Sequence, residues 1–135
     1  MKKVLFDTNI ILDIALKRES FFEDAQKLFI LIDEEKITGN ITATTITDIY
    51  YIAKKEKGHN EAINFIENLV EVIDVIGINK EIILKALASK MKDFEDAIQS
   101  SAAEIHQIDL ILTRNKNDFT DTTIKVLTPK EFLKD

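Results

Sequence analysis

Asp7, Asp48, Asp96, Asn115 and Asp118 each fall where a run of β-prone residues gives way to a turn or a helix start, although nearly the whole chain separates the first from the last. In an open α/β sheet the carboxyl ends of the strands form one crevice, so side chains at those junctions can meet at a single point. Mg²⁺ and Mn²⁺ take carboxylate and water oxygens in octahedral geometry and keep several waters, so three or four acids in one crevice meet their needs. With a substrate phosphate as a further ligand, such ions generate hydroxide from water and stabilise both attacking and leaving oxygens.

Each acid taken alone also has a plain structural explanation. Asp7 ends an apolar strand and can cap a helix starting near Ile10. Asp48 is placed in the first turn of a helix capped by Thr47, where the macrodipole favours an acid. Asp93, Glu95 and Asp96 stand at another helix start; Asp93 and Asp96, three apart, share one face, while Phe94, Ala97, Ile98, Ala102 and Ile105 make the buried one. In Thr113-Arg114-Asn115-Lys116-Asn117-Asp118-Phe119, turn chemistry accounts for the Asn and Asp residues equally well. Caps need no convergence, whereas a cation site needs several of these residues at once.

Other chemistries lack their residues. The chain has no Cys, which removes thiol catalysis, disulfides and Cys-ligated metals. His59 and His106 lie in surface-like contexts far from the acids, which argues against zinc, a histidine base or an activated Ser nucleophile. There is no Gly-rich loop for nucleotide phosphates. A phosphatase using Asp7 as nucleophile is disfavoured because Asn9 stands where a second acid would be needed.

The 135 residues, 45% hydrophobic with 3 Gly and 1 Pro, predict one compact domain over residues 1–135. Lys2-Lys3 lead straight into Val4-Leu5-Phe6 and an acid, with no signal segment and no 18-residue apolar span, so a cytoplasmic protein without membrane contact is expected. A net charge of −6 opposes simple binding of a polyanion, which normally needs a basic footprint. Divalent cations offsetting the acid cluster would resolve that conflict. Lysines are dense at Lys54-Lys55-Lys57 and Lys90-Lys92, and Arg114 and Lys116 flank Asn115; solubility alone explains them.

The elements that position the acids alternate along the chain. Lys3 to Phe6 reads as a strand, Ile10 to Leu16 as a short buried helix, and Ser20 with Glu23 as a capping box opening a helix to about Glu35. Asn40 to Thr45 is a β-branched stretch. Thr47 then caps a helix closed by Gly58, and Asn60 caps another to about Val70. Val72 to Ile76 is a strand; Asn79 caps a helix to about Met91, and Asp93 one to about His106. Ile108 to Thr113 and Ile124 to Leu127 are strands, and Thr128-Pro129 is an N-cap and N1 pair. Such alternation implies an α/β fold, a mostly parallel sheet with helices on both faces.

Four segments together resemble the successive motifs of the PIN-domain family: Val4-Leu-Phe-Asp7-Thr8-Asn9 with Ile-Ile-Leu-Asp13, Thr44-Thr-Ile-Thr-Asp48-Ile-Tyr-Tyr, Asp93-Phe-Glu-Asp96-Ala97, and Thr113-Arg-Asn115-Lys-Asn-Asp118-Phe119. Their order and spacing are most similar to the small VapC-type toxins of toxin–antitoxin pairs. The resemblance implies a three-layer fold with a five-stranded parallel sheet, Mg²⁺- or Mn²⁺-dependent cleavage of RNA phosphodiesters, frequent homodimers and inhibition by a small antitoxin. It makes Asp7 and Asp96 direct metal ligands, with Asp48 and Asp118 completing the catalytic set. Asp48 stands where many members have Glu, and Asn115 where many have a fourth Asp, with Asp118 three residues on. Thr8 and Thr113 match supporting polar positions, and Asp93 is a further supporting residue or alternative ligand. The neutral Asn115 leaves a second reading open, a PIN-like module that binds RNA or protein without cutting.

Overall fold

A computed structural model describes residues 1–134. Five strands form one all-parallel sheet: β1 (Lys2–Phe6), β2 (Ile37–Thr42), β3 (Asp74–Ile76), β4 (Leu110–Leu112) and β5 (Lys125–Leu127), in the order β3-β2-β1-β4-β5. Among the described residues, seven α-helices connect or follow them: α1 (Thr8–Ala15), α2 (Phe22–Asp33), α3 (Ala43–Lys57), α4 (His59–Val72), α5 (Lys80–Ala88), α6 (Phe94–Ile105) and α7 (Pro129–Leu133).

The strand alternation explains why helices cover both faces. Successive side chains of a strand point to opposite sides. Val4 and Phe6 of β1 with Leu110 and Leu112 of β4 therefore face one core, which Ile10, Ile11 and Leu12 of α1, Leu28 of α2, Ile49 of α3 and Leu69 of α4 complete. Leu5 and Ile111 face the other core, with Ile82 and Ala86 of α5 and Ala97, Ile98, Ala102 and Ala103 of α6. β1 is central, buried from Val4 onward. From β1 the chain winds outward through β2 to β3, then returns to the far side of β1 as β4. The strand order therefore reverses between β1 and β4, and their carboxyl ends make the switch-point crevice.

Several element boundaries differ from the sequence reading. α1 starts at Thr8, and Asp7 occupies its N-cap position without a side-chain capping bond. The proposed Ser20 cap is absent: the chain turns through Lys17 (φ 49°) and Ser20 (φ 76°), and Ser20 lacks the extended backbone that a capping serine needs. β2 begins three residues before Asn40 and ends at Thr42, so α3 takes up the β-branched Thr44, Thr45 and Thr47. Gly39 hides the strand's start, yet a methyl there would lie 2.5 Å from Ile32 Cδ1 and 2.9 Å from Phe6 Cε2. Asn60 lies inside α4; Gly58, at φ 90°, makes the junction of α3 and α4. The caps by Asn79 and Asp93 and the Thr128–Glu131 capping box are present. No helix among the described residues is long and apolar enough to cross a membrane.

Candidate metal centre

Asp7 follows β1 directly, and its backbone N–H donates to Leu112 O at 3.0 Å, which ties it to the end of β4. Its carboxylate is buried and accepts from Thr113 Oγ1 at 2.8 Å, the first residue after β4. The two strands at the switch point thus hold the first acid between them. Asp96 lies in the first turn of α6, half-buried beside it.

The crevice is an open cleft of about 410 Å³ lined by Asp7, Asp48, Asp93, Glu95, Asp96 and Asp118, with Thr8, Asn9, Leu12 and Ile52 filling its walls. Four predicted catalytic residues, Asp7, Asp48, Asp96 and Asp118, therefore share one space. Asp48 is the sixth residue of α3, one full turn beyond the position expected, so dipole stabilisation of the first turn does not account for it. Thr8 is buried and Asp93 caps α6 by accepting from Asp96 N at 2.9 Å. Asn115 is not part of the lining; it is exposed and its backbone N–H donates to Thr113 Oγ1 at 3.2 Å. Asp118, at the end of a 3₁₀ turn over Lys116–Asp118, carries the negative charge from that loop.

Burial and mutual repulsion push these carboxyls up. Asp96 rises to about 7, first through desolvation and then through the charges of Asp7, Asp93 and Asp118. Asp7 is raised by its burial, opposed by hydrogen bonds from Thr113, Thr8 and Gln99, with Asp118 adding to the rise. Glu95, pushed up to about 8 by desolvation and by its hydrogen bond and repulsion with Asp48, was not singled out from sequence as a site residue. The helix-face argument gave the cleft to Asp93 and Asp96. Glu95 instead lies over Thr8, whose Oγ1 donates to Glu95 Oε2 at 3.3 Å.

Beneath the acids runs a buried polar chain. Gln99 Nε2 donates to Thr8 Oγ1 at 3.3 Å, Thr8 and Thr45 hydroxyls are 2.8 Å apart, and Thr42 lies 3.3 Å from Thr45. A Thr hydroxyl has one proton and two lone pairs. Thr8 is filled on all three when it donates to Glu95 and accepts from Thr45 and Gln99. A second unpredicted feature stands behind the cleft: buried Asp13 pairs with Arg114 Nε at 3.1 Å and Arg18 Nη1 at 3.5 Å, and Arg114 lies 3.8 Å over the Phe21 ring. Arg114 is thus engaged with α1 and Phe21. His59 bonds Tyr50 and His106 bonds Gly77 O, both outside the cleft.

The donor set fits a hard divalent cation: all-oxygen, acidic, half-buried and self-repelling. As the side chains stand, no group of three or more His, Asp or Glu among the described residues is set to hold an ion. Burial first, and neighbouring carboxylates second, raise Asp7, Glu95 and Asp96, the pattern of acids crowded into a half-buried cleft.

A family model described as PIN domain matches residues 3–117. The chain belongs to the PIN-domain family. Solved structures with the same fold come from toxin–antitoxin systems. VapBC2 from Rickettsia felis, bound to promoter DNA, has a TM-score of 0.71 at 13% identity over 93% of this chain and 97% of that one. DNA-bound VapBC from Salmonella typhimurium gives 0.71 at 17% identity, over 96% and 99%. A toxin–antitoxin complex from Klebsiella pneumoniae gives 0.69 at 25% identity, over 93% and 97%. No curated protein sequence matches the chain. The five-stranded parallel sheet of this PIN domain is the fold expected from its sequence.

Proposed function

We propose that this PIN domain is a Mg²⁺- or Mn²⁺-dependent endoribonuclease, the toxin of a toxin–antitoxin pair. The observation that carries the reading is the convergence of Asp7, Asp48, Glu95, Asp96 and Asp118, from opposite ends of the chain, on one open cleft. Asp7 and Asp96 would hold the ion directly, with Asp48 and Asp118 completing the site. Bound there, a divalent cation supplies an acidified water and positive charge for the phosphodiester oxygens. The protein's own part is positional. Thr113 fixes the Asp7 carboxylate, the Thr8–Thr45–Thr42 chain braces α1 against α3, and Asp118 orients water at the open side.

Membership in the family and the toxin–antitoxin origin of the structural neighbours support the ribonuclease reading, and one of them, from Mycobacterium tuberculosis, is described as cleaving the sarcin-ricin loop. A small antitoxin and a second copy are the partners proposed. The apolar residues of α1 are consumed by the core, so these partners would meet exposed apolar residues elsewhere: Phe21, Ile30, Tyr51 and Ile52, or Ile83, Leu84 and Leu87 of α5. Asn115, exposed and uncharged in place of an acid, favours the second reading of a binding module that does not cut. A labelled RNA incubated with Mn²⁺, Mg²⁺ or EDTA separates the two. Cleavage with metal that disappears in EDTA and in Asp7→Asn and Asp96→Asn is expected; intact RNA under every metal, with binding retained, would establish the non-cleaving module.

A further inference from the structure

Gln99 is the largest of three buried polar residues on α6, the others being Ser100 and Ser101. It is 1% exposed, one turn beyond Asp96 and Glu95, in a stretch whose neighbours Ala97, Ile98, Ala102 and Ala103 form the second core. Its Nε2 donates to Thr8 Oγ1 at 3.3 Å, and its amide lies close enough to the Asp7 carboxyl to counter the rise that burial imposes there. Its Oε1 is buried with no hydrogen-bond partner. Turning the amide over does not remove the difficulty, because it would set a carbonyl oxygen against the Asp7 carboxylate, acceptor against acceptor. A buried amide with one unsatisfied end is costly where a hydrocarbon would pack, since the lost hydration is not replaced. The useful end must therefore justify the residue, and that end touches the two residues at the β1–α1 junction.

We propose that Gln99 is a positioning residue, whose buried amide, braced on Thr8, holds the Asp7 carboxylate in place for a divalent cation. It connects the two proposed direct ligands mechanically: Asp96 sits on the same helix three residues earlier, so the α6 backbone and the Gln99 amide together set the spacing between Asp96 and Asp7. A group that orients a metal ligand through a hydrogen bond typically changes affinity by about ten- to a hundredfold when removed. A residue serving only to fill the core would change stability and leave metal affinity alone. The inference rests on the metal-site reading above and deepens it.

Calorimetric titration with Mn²⁺ alone, together with thermal unfolding in EDTA, tests it on the full chain. Gln99→Met keeps the length and removes both amide ends. Because the orphaned Oε1 goes with it, the metal-free variant should unfold at the same temperature as wild type or higher, while its Mn²⁺ dissociation constant rises by about tenfold or more. Unchanged Mn²⁺ affinity would overturn the proposal, and so would a lowered unfolding temperature with unchanged affinity, which would assign Gln99 to packing. If Gln99→Met does not fold, Gln99→Asn, which draws the amide back by one methylene, is measured against the same two outcomes. Wild type that fails to bind Mn²⁺ at all would bring down the metal-site reading itself, and this inference with it; wild type that binds while the variant binds equally well brings down the inference alone.

Discussion

On the function proposed, Asp118 supplies the charge that Asn115 lacks. Asp118 lines the cleft and repels Asp7 and Asp96, while Asn115 is exposed outside it. Asp118→Ala is therefore expected to lower RNA cleavage by about tenfold or more, and Asn115→Ala by much less; initial rates at saturating Mn²⁺ check this, and the opposite order would reduce Asp118 to a turn residue. The raised carboxyls give a second prediction, and its sign follows from proton linkage. Asp7, Glu95 and Asp96 hold their protons more tightly folded than unfolded, so the native state binds more protons above the ordinary carboxylate range, and stability falls as pH rises there. The metal-free protein should thus lose stability from about pH 5 through the values of about 7 for Asp96 and about 8 for Glu95, seen as a falling urea midpoint in EDTA. A flat or rising midpoint over that window would show that burial and mutual repulsion do not raise these acids as placed. Asp7, Asp48, Asp96 and Asp118 stood out in sequence because each follows β-prone residues near an expected turn or helix start; the structure keeps Asp7 at a strand-to-helix junction but sets Asp48 six residues into α3 and Asp96 on a helix that follows α5. Glu95 and Gln99 did not, because their roles depend on Thr8, about ninety residues away, which only the sheet brings beneath α6. The trace they leave is a polar pair at i and i+4 on an otherwise small and apolar helix face.

At the scale of elements, β4, next to the central β1, and the caps of α5, α6 and α7 were readable because local pattern and tertiary context agree there. The start of α3 was misjudged because Thr44, Thr45 and Thr47 favour strands by intrinsic preference. Their hydroxyls are satisfied inside the helix and across the site: Thr47 Oγ1 donates to Thr44 O at 2.9 Å, Thr44 lies 2.7 Å from Thr42, and Thr45 meets Thr8. Tertiary bonds thus outweigh a propensity of a few tenths of a kcal/mol per residue. Gly39 misled in the opposite way, since a glycine inside a strand weakens the pattern. Its lack of a side chain lets α2 and β1 close over β2 through Ile32 and Phe6. Gly39→Ala is expected to destabilise the fold by about 1–3 kcal/mol through overpacking, without direct effect on the distant carboxylates. Urea unfolding measures it; an unchanged midpoint would mean that the layer above β2 is looser than described.

Across the whole molecule, a bound cation would reconcile the −6 net charge with the function proposed. Several negative charges are concentrated at the carboxyl edge of the sheet, where unit charges about 4 Å apart interact by roughly 4 kcal/mol at an effective dielectric near 20, before screening and relaxation. A polyanion would be repelled from that edge until the charge is offset. Helix caps, by contrast, have no use for a metal, since Asn caps about as well as Asp. The fold class was legible because strand and helix signals alternate along the whole length; the meeting of the acids followed only from the general switch-point rule and the family resemblance, since strand order is set by crossovers and not by local pattern. Thermal unfolding of wild type and Asp96→Asn, each in EDTA and in Mn²⁺ at a hundred times the dissociation constant, tests the shared cation site most directly. Wild type should gain about 2.7 kcal/mol from the metal. Asp96→Asn should be at least as stable as wild type in EDTA and should lose most of that gain. Equal indifference to Mn²⁺ in both proteins would contradict the account, leaving the acids as separate caps around an ordinary cleft.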